Sequence, residues 1–289
     1  MSEWICPRSI LFAPADKPEI VDKALHSEAD AVCLDLEDAV APNNKAFARG
    51  ALSDLLAQAE TLQKPVWVRV NSDLVNIAHD IAALPTGIAN IVVPKVQGWS
   101  QLQWIDEALE SQLKAEAKPQ LVAMFEDVAA INHFLNTPVA NKVPLAALAL
   151  GTEDLSSDLG VKPNRQLLSM VLYDLIKLGR KLDVPVLGFP DSIAIIKDTE
   201  VLQDAIVSAQ QVGSSGAFCI HPKQLDIVNS CFMPTAEEIE WAEVTLTLAS
   251  QIEQGGVALH PLTKRMVDPP VIHQARKLLA KVSHYRYES

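Results

Sequence analysis

Short apolar runs alternate with longer segments of helical period along most of this 289-residue chain, and that alternation leaves few folds open. Strands are read at Ser9 to Pro14, Ala31 to Leu36, Val66 to Val70, Ile88 to Val93, Gln120 to Phe125, Leu145 to Leu150, Val184 to Phe189 and Ala217 to Ile220. Helices are read between them at Glu19 to Ser27, Lys45 to Gln63, Asn76 to Leu84, Ser100 to Lys114, Val128 to Leu135, Arg165 to Lys181 and Gln203 to Val212. Eight strands with a helix after nearly every one favour a closed parallel (β/α)8 or TIM barrel over a doubly wound sheet. Such a barrel takes about 200 to 250 residues, so residues 1–232 are assigned to it. Residues 233–289 then form a C-terminal helical extension, with helices at Ala236 to Glu253 and Pro269 to Val282 around Gly255-Gly256. That tail is either barrel helix eight plus a cap, or an arm that packs on a neighbouring subunit.

Composition narrows the function. Hydrophobic residues make up 49% of the chain but aromatics only 5%, so Leu, Ile, Val and Ala do the packing, as suits strands buried on both faces. A net charge of −12 with scattered basic residues argues against nucleic acid and anionic lipid as partners. Charged residues Glu3, Arg8, Asp16 and Lys17 interrupt the N-terminal segment, and no apolar run is long enough to span a bilayer, so a cytoplasmic protein is expected. The four cysteines lack CxxC spacing and read as reduced thiols, not a zinc site or disulfide framework.

Chemistry in a TIM barrel sits at the C-terminal ends of its strands, and here those ends are charged. Met124-Phe125-Glu126-Asp127 and Leu148-Ala149-Leu150-Gly151-Thr152-Glu153-Asp154 are apolar runs ending in carboxylates. If both face one mouth, Glu126 and Asp154 can share one hard divalent cation. Strand two ends in Asp35-Leu36-Glu37-Asp38, acids that repel unless a cation or base compensates, or that simply cap a helix in solvent. Arg69 ends strand three; it either presents paired donors to a substrate carboxylate or enolate, or makes a structural ion pair with one of the acids. Lys95 after strand four is a Schiff-base nucleophile or, among so many acids, a balancing charge. His221 after strand eight has no recognisable Ser or Cys nucleophile paired with it; it reads as a structural hydrogen-bonding group, with a catalytic role as the alternative. Oxygen ligands without His or Cys suit Mg2+, with Mn2+ as a substitute. Such an ion chelates a 2-oxo acid and stabilises its enolate when a carbon–carbon bond breaks or forms.

These residues assemble into a likeness. Arg8 to Pro18, Leu34-Asp35-Leu36-Glu37-Asp38-Ala39-Val40 with Lys45 and Arg49, Val68 to Asn71, Pro94-Lys95-Val96, Glu126, Gly151-Thr152-Glu153-Asp154-Leu155, Ile220 to Gln224 and Met266 to Pro270 resemble the CitE-like family. That family comprises the citrate lyase beta subunit and the malyl-CoA and citramalyl-CoA lyases, within the HpcH/HpaI aldolase superfamily. The resemblance implies a Mg2+-dependent TIM barrel, a homotrimer, that cleaves or forms 3-hydroxyacyl-CoA thioesters. By matching position it implies Glu126 and Asp154 as metal ligands, Glu37 and Asp38 on metal-bound waters, and Arg69 on the oxo-acid carboxylate or oxyanion. It places the CoA moiety near Phe12 to Lys17 and the Ile220-His221-Pro222 turn. It assigns Asp268, from the arm of an adjacent subunit, to proton exchange at the acyl carbon.

Departures from the family pattern mark where this chain differs. Ala15-Asp16-Lys17-Pro18 replaces the usual Gly-Asp-Arg-Pro, trading a forked guanidinium for an ammonium near the CoA phosphates. Leu187-Gly188-Phe189-Pro190-Asp191 replaces an Asp-Gly-Val-Tyr-like run, which alters the wall facing the acyl substituents. Strand alternation would point only one of Glu153 and Asp154 inward, and the family match selects Asp154. Two other readings stand beside the CoA-thioester lyase: a metal-dependent aldolase for free 2-oxo acids, and a non-catalytic scaffold, against which the retained Glu126, Asp154, Arg69 and Asp268 speak.

Overall fold

Eight parallel strands carry the apolar runs: β1 (Ser9–Pro14), β2 (Ala31–Asp35), β3 (Val66–Arg69), β4 (Asn90–Val93), β5 (Gln120–Phe125), β6 (Leu145–Leu150), β7 (Val186–Leu187) and β8 (Ala217–Cys219). The computed structural model describes residues 5–113, 118–138, 143–252, 259–261, 263–264 and 266–287. Neighbours pair in the order β7-β6-β5-β4-β3-β2-β1-β8, each strand beside its sequence neighbour, as right-handed β-α-β crossovers require. The cylinder closes through the parallel bridge Leu187 to Gly216, with Gly188 N–H donating to Gly216 O at 2.9 Å and Ser215 N–H to Val186 O at 2.8 Å. The Ser214 hydroxyl adds bonds to the carbonyls of Val186 and Gly188. Gly216 is obligatory at this seam, because a Cβ there would lie 2.1 Å from the carbonyl oxygen of Pro7.

Alternation along each strand sorts side chains into two layers. Ile10, Ala31, Cys33, Trp67, Val92, Val122, Met124 and Phe218 fill the lumen. Their strand neighbours, such as Leu11, Val32, Leu34, Val68, Ile91, Leu121 and Ala123, pack outward against the helices. Aromatics are scarce in the chain, yet Trp67 and Phe218 meet edge-to-face in the lumen at 6.0 Å, with small Ala31, Ala147 and Ala149 in the same layer giving them room. Extending the lumen register by two residues places Phe12, Asp35, Arg69 and Glu126 at the C-terminal mouth. The period of two that builds the core therefore also aims the chemistry.

The barrel helices are α1 (Pro18–Leu25), α2 (Lys45–Thr61), α3 (Leu74–Ala83), α4 (Trp99–Gln112), α5 (Val128–Asn136), α6 (Thr152–Asp158), α7 (Arg165–Leu182), α8 (Thr199–Val212) and α9 (Leu225–Phe232). Asp73, Asp127, Asn164 and Asp198 start α3, α5, α7 and α8 by accepting a first-turn N–H on the side chain. Helix eight of the barrel is α9, which lies before residue 233 and so corrects the reading that sought barrel helix eight in the tail. A 3-10 turn at Pro222–Gln224 separates it from β8 and hides the strand-to-helix rhythm. Strand β7 is shorter than the apolar run Val184 to Phe189 because Gly188, at φ +129°, turns the chain off the barrel wall.

The chain divides into two compact units, Cys6–Phe232 and a smaller one that begins at Met233. In the smaller unit α10 (Ala236–Ile252) and α11 (Pro269–Tyr287) pack on each other. Among the described residues no helix is long and apolar enough to cross a membrane. Burial pushes the thiols of Cys33 and Cys219 well above their ordinary pKa, which leaves them inert core groups.

Candidate active site

At the mouth, register makes the first contact. Asp35 of β2 is the strand partner of Arg69 of β3, and both face the lumen. Arg69 donates Nε–H to Asp35 Oδ1 at 2.8 Å and Nη2–H to Oδ2 at 2.6 Å, a forked pair. Asp35 also accepts the N–H groups of Glu37 and Ala39 at 2.9 and 3.0 Å. Burial works to raise the Asp35 pKa, but the bonds and charge of Arg69 outweigh it and hold the carboxyl below its ordinary value. Asp35 is thus a clamp whose ionised form is favoured by its partner. Its partner lies 4.7 Å over the Phe12 ring, which stacks on Phe218 at 4.8 Å. The aromatic pair and the acid fix the guanidinium from two sides, and Nη1 remains directed to Glu37 Oε2 at 3.1 Å.

A network of polar groups supports the β2 loop from behind. Lys45 on α2 donates to the carbonyls of Leu36 and Glu37 at 2.9 and 3.1 Å and to Asn71 Oδ1. Asn71 in turn donates its N–H and side-chain amide to Asp80 Oδ2, both at 2.7 Å, and Arg49 donates to Asp80 Oδ1 at 2.6 Å. Asp80 is fully buried, so this network is a satisfied internal brace and not a site.

The far side of the mouth is less well satisfied. Glu126 is 7% exposed and accepts the Lys95 N–H on Oε2 at 2.5 Å. Burial, followed by the charges of Glu37 and Asp154, pushes its pKa up to about 7. Glu37 is also raised, by burial first, and its Oε2 makes no hydrogen bond although it is shut off from solvent. Lys95 carries its ammonium to within 3.1 Å of Glu37, 3.2 Å of Asp154 and 3.7 Å of Asp38. Burial works to lower the Lys95 pKa, but those acids raise it above its ordinary value. A Schiff-base nucleophile needs the neutral amine, so the arrangement speaks for the balancing charge.

Asp35, Asp38, Arg69, Glu126 and Asp154 line one cavity of about 300 Å³. Its other wall is apolar: Phe12, Leu150, Phe189, Ile193 and Phe218. Gly151 lies between Glu126 and α6, and a Cβ there would sit 2.4 Å from Glu126 Cγ, so only glycine lets this acid lie against the β6 tip.

A family model described as HpcH/HpaI aldolase/citrate lyase matches residues 8–222. The chain belongs to the HpcH/HpaI aldolase/citrate lyase family. As a member it is a lyase. The citrate lyase subunit beta-like protein of Deinococcus radiodurans is 30% identical over 283 residues, covering 94% of this chain and 96% of the relative. The mitochondrial citramalyl-CoA lyase of Rattus norvegicus is 25% identical over 298 residues, covering 96% of this chain and 86% of the relative. Among solved structures, CitE from Mycobacterium tuberculosis in complex with magnesium, acetoacetate and coenzyme A matches with a TM-score of 0.72 and 28% identity, over 95% of this chain and 97% of that one.

Within this HpcH/HpaI barrel the residues singled out from sequence fall into three places. Phe12, Arg69, Glu126, Asp154, Glu37 and Asp38 converge at the mouth. Lys17 is exposed at the start of α1, and His221 and Pro222 begin the 3-10 turn after β8; none of the three lines the cavity. His221 Nδ1 accepts the Lys223 N–H at 3.1 Å. Asp268 belongs to the smaller unit, where its Oδ1 accepts the Val271 N–H at 3.1 Å and begins α11.

One sequence reading is corrected and two wall residues are added. Glu153 and Asp154 lie in the first turn of α6, not on a strand, so alternation does not choose between them. Both line the cavity; Glu153 is engaged by the Ser192 hydroxyl at 2.5 Å, whereas Asp154 faces the Lys95 ammonium. Thr152 was missed: it is buried at the cavity wall with a hydroxyl that has no hydrogen-bond partner. Gly151 was missed as well, although a glycine directly after a strand and before acids is a signal of close approach.

Proposed function

We propose that this protein is a magnesium-dependent carbon–carbon lyase that splits or forms a 3-hydroxyacyl-CoA thioester, giving an acyl-CoA and a 2-oxo acid. The observation that carries the reading is the excess of acid at one cavity: Glu126, whose pKa burial pushes up to about 7, opposite Asp154 and beside Glu37, whose Oε2 faces Arg69 at 3.1 Å but makes no hydrogen bond. An all-oxygen set of this kind fits Mg2+, with Glu126 and Asp154 as direct ligands and Glu37 and Asp38 on its waters; Mn2+ is the substitute. When bound, the cation supplies Lewis-acid polarisation of the oxo-acid carbonyl. The M. tuberculosis relative, crystallised with magnesium, an oxo acid and coenzyme A, supports the same assignment.

The chain's own residues do the rest. Arg69, clamped by Asp35 and Phe12, presents a guanidinium that cannot rotate away, so an oxo-acid carboxylate or oxyanion is met by a preorganised donor. Asp268, contributed by an adjacent subunit of a homotrimer, takes the proton from the acyl carbon in condensation and returns it in cleavage. The cavity accommodates the oxo acid and acyl end. The bulk of CoA then lies outside it, along Lys17 and the His221-Pro222 turn.

Substrate preference follows from the walls. Arg69 is the one cation among the described residues lining the cavity, and the side opposite the acids is apolar. A second substrate carboxylate would have no counter-charge there, so pyruvate or glyoxylate is favoured over oxaloacetate, and citramalyl-CoA or malyl-CoA over citryl-CoA. The test incubates the protein and Mg2+ with acetyl-CoA or propionyl-CoA against each oxo acid and reads new thioesters by mass. Product confined to the CoA reactions, strongest with pyruvate or glyoxylate, supports the reading. Aldol product from free oxo acids without CoA would replace it with the aldolase that Lys17, in place of the family's arginine near the CoA phosphates, favours.

A further inference from the structure

We infer that Lys95 is a built-in counter-cation that a divalent metal must displace, and that it thereby sets the metal affinity of the site. The inference rests on the metal assignment above. One residue touches all four acids concerned. Its ammonium lies 3.1 Å from Glu37, 3.2 Å from Asp154 and 3.7 Å from Asp38, while its backbone N–H holds Glu126 at 2.5 Å.

The backbone of Lys95 shows that this posture is imposed. At φ +47° it is in the left-handed region, which a lysine enters only where its surroundings hold it. Among the described residues no three His, Cys, Asp or Glu side chains gather closely enough to cage a metal by themselves. Glu37, Asp38 and Asp154 gather around the ammonium instead. These acids come from two separate loops, after β2 and after β6, and would repel each other across the mouth without a positive charge between them. A single charge on a flexible stem satisfies them only in part: Glu37 Oε2 makes no hydrogen bond with it and is faced instead by the Arg69 guanidinium at 3.1 Å. A divalent cation, with twice the charge and more coordination positions, completes what the ammonium begins. Release of the lysine is then a cost subtracted from every metal-binding event.

Binding of Mn2+ alone, measured by calorimetry on wild-type protein, Lys95→Met and Lys95→Arg, tests this directly. Removal of a competing charge a few ångströms from the acids should tighten Mn2+ binding in Lys95→Met by about tenfold or more, whereas Lys95→Arg stays near wild type. Equal or weaker binding in a folded Lys95→Met overturns the inference and makes the lysine a fixed part of the scaffold. A second readout needs no variant: acetylation of Lys95 in wild-type protein, followed by mass spectrometry with and without Mn2+. Several-fold faster labelling with Mn2+ supports displacement; unchanged or slower labelling contradicts it. Wild-type and Lys95→Met proteins that both fail to bind Mn2+ would overturn the metal assignment itself, a result distinct from tight wild-type binding that the variant does not improve.

Discussion

Asp35 and Glu126 are both buried carboxylates in the lumen register of the same barrel, three strands apart, and their environments push them in opposite directions. Asp35 accepts a forked guanidinium and two backbone N–H groups and is held ionised. Glu126 accepts one backbone N–H among other acids and is pushed up to about 7. The β2–β3 side of the mouth is therefore finished by its own residues. The β5–β6 side is left short of positive charge, and a group in that state is what a hard cation completes.

The contrast can be broken most severely on the unfinished side. Asp154→Ala should lower lyase turnover by about a thousandfold or more, since the Lewis acid is worth several kcal/mol to the enolate-forming step. Its circular dichroism should not change, because Asp154 is a partly exposed residue on a short helix. Steady-state kinetics with Mg2+ check this, and unchanged turnover would remove Asp154 from the ligand set. On the finished side the damage should be to stability. Arg69→Met leaves Asp35 buried and without its partner, and should cost about 4 kcal/mol in urea unfolding.

Glu126→Gln sharpens the comparison through pH. The folded-state pKa of about 7 lies above the ordinary carboxyl value of 4.5. Below 4.5 folded and unfolded chains are both protonated there. Between 4.5 and about 7 the unfolded chain ionises first, so the metal-free protein loses stability as pH rises. Above 7 the full penalty is present. Glu126→Gln should thus stabilise metal-free protein by about 2 to 3 kcal/mol at pH 8 and by little at pH 4, as read from denaturant melts at the two values. Asp35→Asn should destabilise at both values, because a carboxyl held below its ordinary 3.8 keeps its contribution until the pH falls below that value. The smallest effect is expected from Gly151→Ala, where a Cβ forces Glu126 to shift; Mg2+ affinity should fall by about tenfold, and the overpacking should cost about 1 to 2 kcal/mol.

Much of this was legible in the residues. Periods of two and of helical length carry the barrel, and the strand spans β1, β5 and β6 coincide with their apolar runs because nothing at their ends interrupts the pattern. The doublet Glu126-Asp127 separates by role only in three dimensions: Asp127 accepts the Ala130 N–H at 2.6 Å to start α5, while Glu126 turns into the mouth. Helices α6 and α9 escaped notice because each is short and follows directly on a strand tip or a 3-10 turn. The posture of Lys95 was not readable at all. It depends on a left-handed backbone and on acids distant in sequence, Glu37 and Asp38 on one side and Asp154 on the other, meeting at one ammonium, neither of which leaves a local signature.

The central claim is that Glu126 and Asp154 share one divalent cation at the barrel mouth. Anomalous diffraction at the manganese edge from Mn2+-soaked crystals tests it most directly. A single strong peak between those two carboxylates, with the Lys95 ammonium moved off Asp154, is the expected result. A peak bound elsewhere, or Mn2+-saturated protein with no peak at that cavity, would contradict it.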